Sequence, residues 1–339
     1  MQITEILEKI CSLNLVSSNE ASLFSEACRV FKDKAETVSD NIGNTYIKIG
    51  NESAKNKILL DAHCDQIGFV VTDFCENGFL KVSAVGGADI RAAFGSRVLV
   101  LGEKTLEGVF ATVPPHLQKS GDSEKFPSID SLAIDTGLSK DEVCSMVQRG
   151  DIVVFKNEFT FLSKNRVCSA ALDNKAGVAA LFALGQKLIK SELKNTCVTL
   201  LMSTQEELGL RGAAAAEFDA DKVIVIDTSF GSYPGAPEEK TGRLGGGVML
   251  GTGPILSRSL TKQIENVANK KGIEIQHEIL SESTGTNADR LTLKAGGVDC
   301  ALISLPILNM HSASEILDLR DLNSLVNLLY AYIEEADKL

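Results

Sequence analysis

A set of acidic and imidazole side chains falls at the ends of apolar runs, where a folded chain can gather them. His63 and Asp65 close KILLDAHCD. Asp173 follows SAAL and opens a helical pattern. Glu206 and Glu207 follow CVTLLMSTQ, Asp227 ends KVIVID, and His311 lies just beyond VDCALISLPILNM. Ligands of open α/β sheets sit outside the carboxyl ends of the strands. Five separate segments therefore deliver Asp, Glu or His to one rim. Singly, each residue has an ordinary reading. Asp173 alone reads as a helix N-cap, Glu206-Glu207 as a solvated pair, and His311 as a structural histidine. Asp227 is less ordinary, because Val223 to Ile226 should bury its surroundings. A strand's two-residue period puts His63 and Asp65 on one face and Cys64 on the other. His63 can then bind a metal while Asp65 fixes its tautomer from behind.

The chemistry follows from the donor set. Two histidines and three carboxylates give each of two divalent metals one His, one terminal carboxylate and one shared carboxylate. A bridging water completes four ligands at each ion, the usual number for zinc. Two dications facing Asp173, Glu207 and Asp227 become neutral with a bridging hydroxide, the nucleophile that hydrolysis needs. Nitrogen and oxygen donors without Cys suit zinc first, with cobalt or manganese as alternatives. Glu206, beside the ligand Glu207, is left free as a general base. Of the remaining histidines, His116 in VPPHLQ reads as a loop residue and His277 as structural. Gly245–Gly247, with Gly251 and Gly253, matches neither a P-loop nor a dinucleotide fingerprint and reads as tight turns in the active-site wall.

The elements that must hold these groups show a change of rhythm. Residues 3–10 have helical spacing, and Ser17-Ser18-Asn19-Glu20 reads as a capping box opening a second helix. TYIKIG and KILL read as strands. From 68 to 165, GFVVTDF, GFLKVSAVG, SRVLVLG, TLEGVFATV and DIVVF are short Val-rich strands between turns, a barrel or sandwich pattern. After 166, strands alternate with helices, ending in the long helical run LRDLNSLVNLLYAYIEEA. The expected fold is α/β, with a doubly covered, mostly parallel sheet. It is built from residues 1–66 and 166–339 as one discontinuous domain, with a small all-β domain inserted at 67–165.

Composition narrows the function. The chain has 339 residues, 44% of them hydrophobic and 23% charged, enough for a buried core and unlike a disordered chain. Its net charge of -11 argues against nucleic acid and anionic membranes as partners. No apolar run reaches the roughly 18–20 residues of a membrane helix. The N-terminus lacks a secretory pattern. The 8 Cys make no C-x-x-C pair, so reduced thiols in a cytoplasmic protein are expected.

LLDAHCDQIGFVV, SAALDNKAGVAALFAL, STQEELGLRGA, VIVIDTSF, GTGP and NMHSASEILDLRDL resemble the co-catalytic di-metal aminopeptidases known as glutamyl, deblocking or TET-type. Some members of that zinc-aminopeptidase-like group carry the labels FrvX-like or endoglucanase. The resemblance runs over essentially the whole chain. It implies that Asp173 bridges two metals per subunit, that His63 and Asp227 complete one, and that Glu207 and His311 complete the other. Glu206 is implied as the base and proton shuttle. The implied substrates are peptides, losing N-terminal residues. The β insert is implied to form dimers, and dimers a homo-oligomer up to a hollow tetrahedral dodecamer.

Departures from the family pattern occur at Gln66, which replaces a Glu, and at Asn287, in Gly285-Thr286-Asn287-Ala288, which replaces an Asp. If that Asp receives a charged substrate group, Asn287 changes specificity and leaves the metal site intact. The main rival is a related two-metal amidohydrolase, a deacylase or carboxypeptidase. A glycoside hydrolase needs opposed carboxylates and usually aromatic platforms, and the chain has no Trp. A catalytically dead scaffold would have lost His63 or Glu206.

Overall fold

The computed structural model describes residues 2–117 and 128–339. Residues 118–127 of the expected insert lie outside them. The chain forms a mixed α/β fold around a large sheet of eleven strands, with a closed six-stranded barrel set between two of them.

Four strands form the centre of the sheet, in the order Thr196–Ser203, Asn56–His63, Lys222–Phe230 and Asp299–Leu308, all paired in parallel. Their successive side chains enter two separate buried clusters. Ile58, Leu60, Ala62, Val198, Leu200, Ile224, Ile226 and Ile303 join one. Leu59, Leu201, Val223, Val225 and Leu302 join the other. Such near-continuous apolar runs are what a strand buried on both sides requires. The larger cluster also takes in Leu172–Leu188 and the final helix Leu319–Ala336.

Parallel pairing covers less of the sheet than the β–α rhythm predicts. Both flanks are antiparallel. Glu36–Ser39 pairs with Thr45–Ile49, which pairs in turn with Thr196–Ser203. On the other side Asp299–Leu308 meets Glu315–Asp318, which meets Arg166–Ser169. These flanking strands are only four or five residues long and lack the apolar run that marks the central ones. Two of the helices in the alternating part are short: Arg211–Ala215, and Ala288–Leu291 with a separate turn at Lys294–Gly296. The capping box at Ser17 does not form. Its helix begins at Ala21, and the Ser17 hydroxyl is used elsewhere.

The barrel strands run from Gly68–Phe74 to Ile152–Phe155. Phe69, Phe110 and Phe155 fill its interior edge-to-face, with ring centroids 4.8 Å apart for Phe69–Phe110 and 5.5 Å for Phe69–Phe155. Closure leaves this unit no open sheet edge. Among the described residues, no helix is long and apolar enough to cross a membrane.

Candidate metal centre

The parallel register sets the rim. Ser203 lies level with His63, and Val225 with Asp61, so continuing the register puts Asp227 level with His63. Glu206 and Glu207 follow Ser203 directly. Asp173 enters from the start of Leu172–Leu188, where it and Asn174 have non-helical backbone. Asn174, not Asp173, caps this helix: its Oδ1 accepts from the Gly177 amide at 3.1 Å and its Nδ2 donates to the Ile226 carbonyl. That frees the Asp173 carboxylate to face the rim. His311 sits in the turn before Glu315–Asp318, with φ of 63°.

These side chains meet. Asp173 lies between the two imidazoles, its Oδ1 3.2 Å from His63 Nε2 and its Oδ2 3.4 Å from His311 Nε2. Asp227 Oδ1 is 3.5 Å from His63 Nε2, and Glu207 Oε1 is 3.2 Å from His311 Nε2. Two donor groups result, one of His63, Asp173 and Asp227 and one of Asp173, Glu207 and His311, sharing Asp173. Each imidazole gives its other nitrogen to a main-chain carbonyl. His63 Nδ1 is 3.1 Å from the Asp65 carbonyl, and His311 Nδ1 is 2.9 Å from that of Gly87. Donation from Nδ1 leaves both Nε2 lone pairs directed at the carboxylates, the arrangement of metal-binding histidines.

The electrostatics call for cations. Burial opposes charge on His311, yet its contacts with Asp173 and Glu207 push its pKa up to about 11. His63 rises as well, again against burial, through Glu206, Asp227 and Asp173. Burial raises Asp227, whereas the two imidazoles outweigh it at Asp173 and hold that carboxyl below its ordinary range. Glu206 is pushed up to about 9, first by burial and then by the carboxylates of Asp227, Glu207 and Asp173. A cation at either donor group would offset this crowding of carboxylates.

Asp65 acts differently from expectation. Its carbonyl, not mainly its carboxylate, orients His63; the carboxylate Oδ1 stands 3.5 Å from the ring. The carboxylate accepts instead from the Ser17 hydroxyl at 2.6 Å and from the Glu206 and Glu207 amides at 2.9 and 3.2 Å. It therefore fixes the segment carrying the expected base. Glu315, which sequence reasoning missed, does the same for two ligands. It is buried, and it accepts from the Asp173 amide at 2.9 Å and the His311 amide at 2.7 Å. It lies four residues past His311, but nothing in its type marks it as different from a surface Glu.

The rim opens on a cavity of about 640 Å³ lined by these residues and by Thr228, Ser229, Phe230, Glu278 and Leu280, among others. Several other residues singled out in the sequence lie away from it. Asn287 is buried under the sheet end, its amide donating to Asp61 Oδ2 at 2.9 Å and Ser203 Oγ at 2.8 Å. It therefore does not line the cavity, although Gly285 and Thr286 do. An aspartate in place of this asparagine would face Asp61, and the amide removes that repulsion. Gln66 pairs with Leu15 through its side chain and main chain. The Gly245 and Gly247 amides donate to Asp321, so this run anchors the last helix and not the cavity wall. His116 is exposed, and so is His277, 3.9 Å from Glu265.

The chain is similar to proteins already known. The family model described as M42 glutamyl aminopeptidase matches residues 43–328. The lysyl aminopeptidase of Pyrococcus furiosus is 31% identical, over 98% of this chain and 96% of its own. A solved aminopeptidase from the archaeon Desulfurococcus kamchatkensis is 30% identical, with a TM-score of 0.89 over 98% of this chain and 95% of that one. The TET1 peptidase of Pyrococcus horikoshii, which assembles into a tetrahedron or a large octahedral shell, is 32% identical, with a TM-score of 0.85 over 97% and 98%.

Proposed function

The chain belongs to the metal-dependent M42 glutamyl aminopeptidase family and is an aminopeptidase, and from that premise we propose how its own residues remove the N-terminal residue of a peptide. His63, Asp173 and Asp227 hold one divalent ion, and Asp173, Glu207 and His311 a second. Zinc suits this nitrogen and oxygen set, with cobalt or manganese able to replace it. The observation that carries the reading is the Asp173 carboxylate, with one oxygen toward each imidazole Nε2. When bound, two such ions polarise the scissile carbonyl and make water a nucleophile at neutral pH.

Glu206 does the proton work. Its carboxylate, in the cavity wall beside the ligands, takes a proton from the attacking water and passes it to the departing amine. Burial and the neighbouring carboxylates place its pKa at about 9, and beside bound dications that pKa would be lower. It is then ionised when the water must be deprotonated. Asp65 keeps it in place through the Glu206 and Glu207 amides. Leu280, Leu302 and Met310 give the cavity apolar walls for a peptide's first side chain.

We assign residues 1–66 and 166–339 to the catalytic domain and 67–165 to a dimerisation domain. The likeness to a peptidase that assembles into closed shells supports a homo-oligomer built from dimers, up to a tetrahedral dodecamer. Eight unpaired cysteines fit a reducing, cytoplasmic setting. The test is a panel of aminoacyl p-nitroanilides and their N-acetylated forms on metal-loaded enzyme. The free-amine substrates should release p-nitroaniline and the acetylated ones should not; release of acetate from the acetylated ones, with the free-amine ones spared, would make the protein a deacylase.

A further inference from the structure

One carboxylate in the cavity remains without a role. Glu278, on Ile275–Ile279, lines the same space as the metal centre. Both its oxygens are fixed by neutral hydroxyls. Ser229 donates to Oε1, and Ser304 donates to Oε2 at 2.9 Å. Among the described residues no Lys, Arg or His pairs with it, and neither Lys nor Arg lines the cavity. The other four acids there have work to do: three stand at the metals, and Glu206 moves the proton.

Its position relative to the centre is set by the strands. Ser304 is the direct neighbour of Asp227 in the parallel register, and Ser229 lies two residues past Asp227 on the same face. By strand spacing and rise, the carboxylate they hold stands roughly 5–8 Å from Asp227. An extended lysine side chain spans roughly 6 Å from Cα to Nζ by standard bond lengths. Leu280 and Leu302 line the same cavity. A long apolar stem with a cationic tip matches that profile, and an acidic side chain meets a like charge.

We propose that Glu278 is the specificity-determining residue of this aminopeptidase and that the cavity selects peptides beginning with lysine or arginine. The inference rests on the function proposed above. Serine hydroxyls hold the carboxylate in one orientation without cancelling its charge, so it is arranged in advance for a cation. The same acid could instead hold the substrate's α-amine, which every peptide carries, and the two roles differ in what a substitution does.

The test is kcat/KM on lysyl, leucyl and glutamyl p-nitroanilides for the metal-loaded oligomer and for Glu278→Gln and Glu278→Lys. The unmodified enzyme should prefer lysyl over leucyl substrate. Glu278→Gln should lower the lysyl-to-leucyl ratio by about 10- to 100-fold, mainly through KM. Glu278→Lys should turn the preference toward the glutamyl substrate. A parallel fall on all three substrates would show an α-amine site and overturn the proposal. So would an unmodified enzyme that favours leucyl or glutamyl substrate. An unmodified, metal-loaded enzyme inactive on all three would instead overturn the aminopeptidase function beneath it.

Discussion

Glu206 and Glu207 are adjacent and chemically identical, yet the fold gives them different work. Glu207 Oε1 meets His311 at 3.2 Å, whereas Glu206 lies half-buried in the cavity wall and pairs with neither imidazole. Glu206→Gln should therefore keep the metal content and lower kcat by about 10²–10⁴, read by steady-state rates beside elemental analysis. Near-normal kcat would remove Glu206 as the base. Glu315 offers a complementary test. Its two oxygens accept from the main chain of Asp173 and of His311, and an amide can serve only one of them as acceptor. Glu315→Gln should weaken metal binding by about 10–100-fold, measured by chelator competition; unchanged affinity would make Glu315 a bystander. Each of the seven residues expected to do chemistry combines a reactive type with the end of an apolar run, and the six other than Asp65 line one cavity. Glu315, Ser17 and Gly87 were not legible in the sequence. They act on main-chain amides, a carboxylate and an imidazole reached only through folding, and their own sequence surroundings carry no sign of it.

The element that carries Glu206 is a loop held from outside. Gln205 and Leu210 have φ of 52° and 62°, a left-handed backbone uncommon without glycine. The N-terminal segment holds this loop in place. Ser17 reaches it through Asp65, and Glu20 accepts from the Gln205 amide at 3.2 Å. The capping pattern at Ser17–Glu20 was visible in sequence, but the two side chains clamp a loop almost two hundred residues away. Local pattern cannot distinguish those uses. Burial pushes Glu20 up to about 7 from its ordinary 4.5. The native state then binds more protons than the unfolded chain between those values. Stability should fall as pH rises from about 4.5 through about 7. Glu20→Gln cannot ionise, so its melting temperature should fall less across that window than the parent's. An equally steep fall in the variant would refute this role for Glu20. The central strands were readable from their apolar runs. Of the flanking strands, Thr45–Ile49 was readable from its alternation, whereas Glu36–Ser39, Arg166–Ser169 and Glu315–Asp318 were not, because pairing with a neighbour, and not their own composition, defines them.

At the scale of the whole molecule, the barrel and the metal centre are not independent. The barrel segment supplies the Gly87 carbonyl to His311, and a Cβ at Gly87 would stand 3.0 Å from the ring. Gly87→Ala should displace the imidazole and lower occupancy of the ion held with Glu207, read by metal titration; full occupancy would show that the ring can shift. The change of rhythm near residue 68 revealed the inserted β unit, but not that it touches the site. Sedimentation should give a mass that is a multiple of a dimer of 36.3 kDa chains. A monomer would contradict the assembly proposed from the barrel. The central claim is that two ions, shared through Asp173, make this rim a peptidase. It is tested most directly by adding zinc to chelator-stripped enzyme while following release of an N-terminal amino acid. Activity should be absent at the start and should saturate as the second ion per chain binds. Full activity in stripped protein, or saturation at a single ion per chain, would contradict the account.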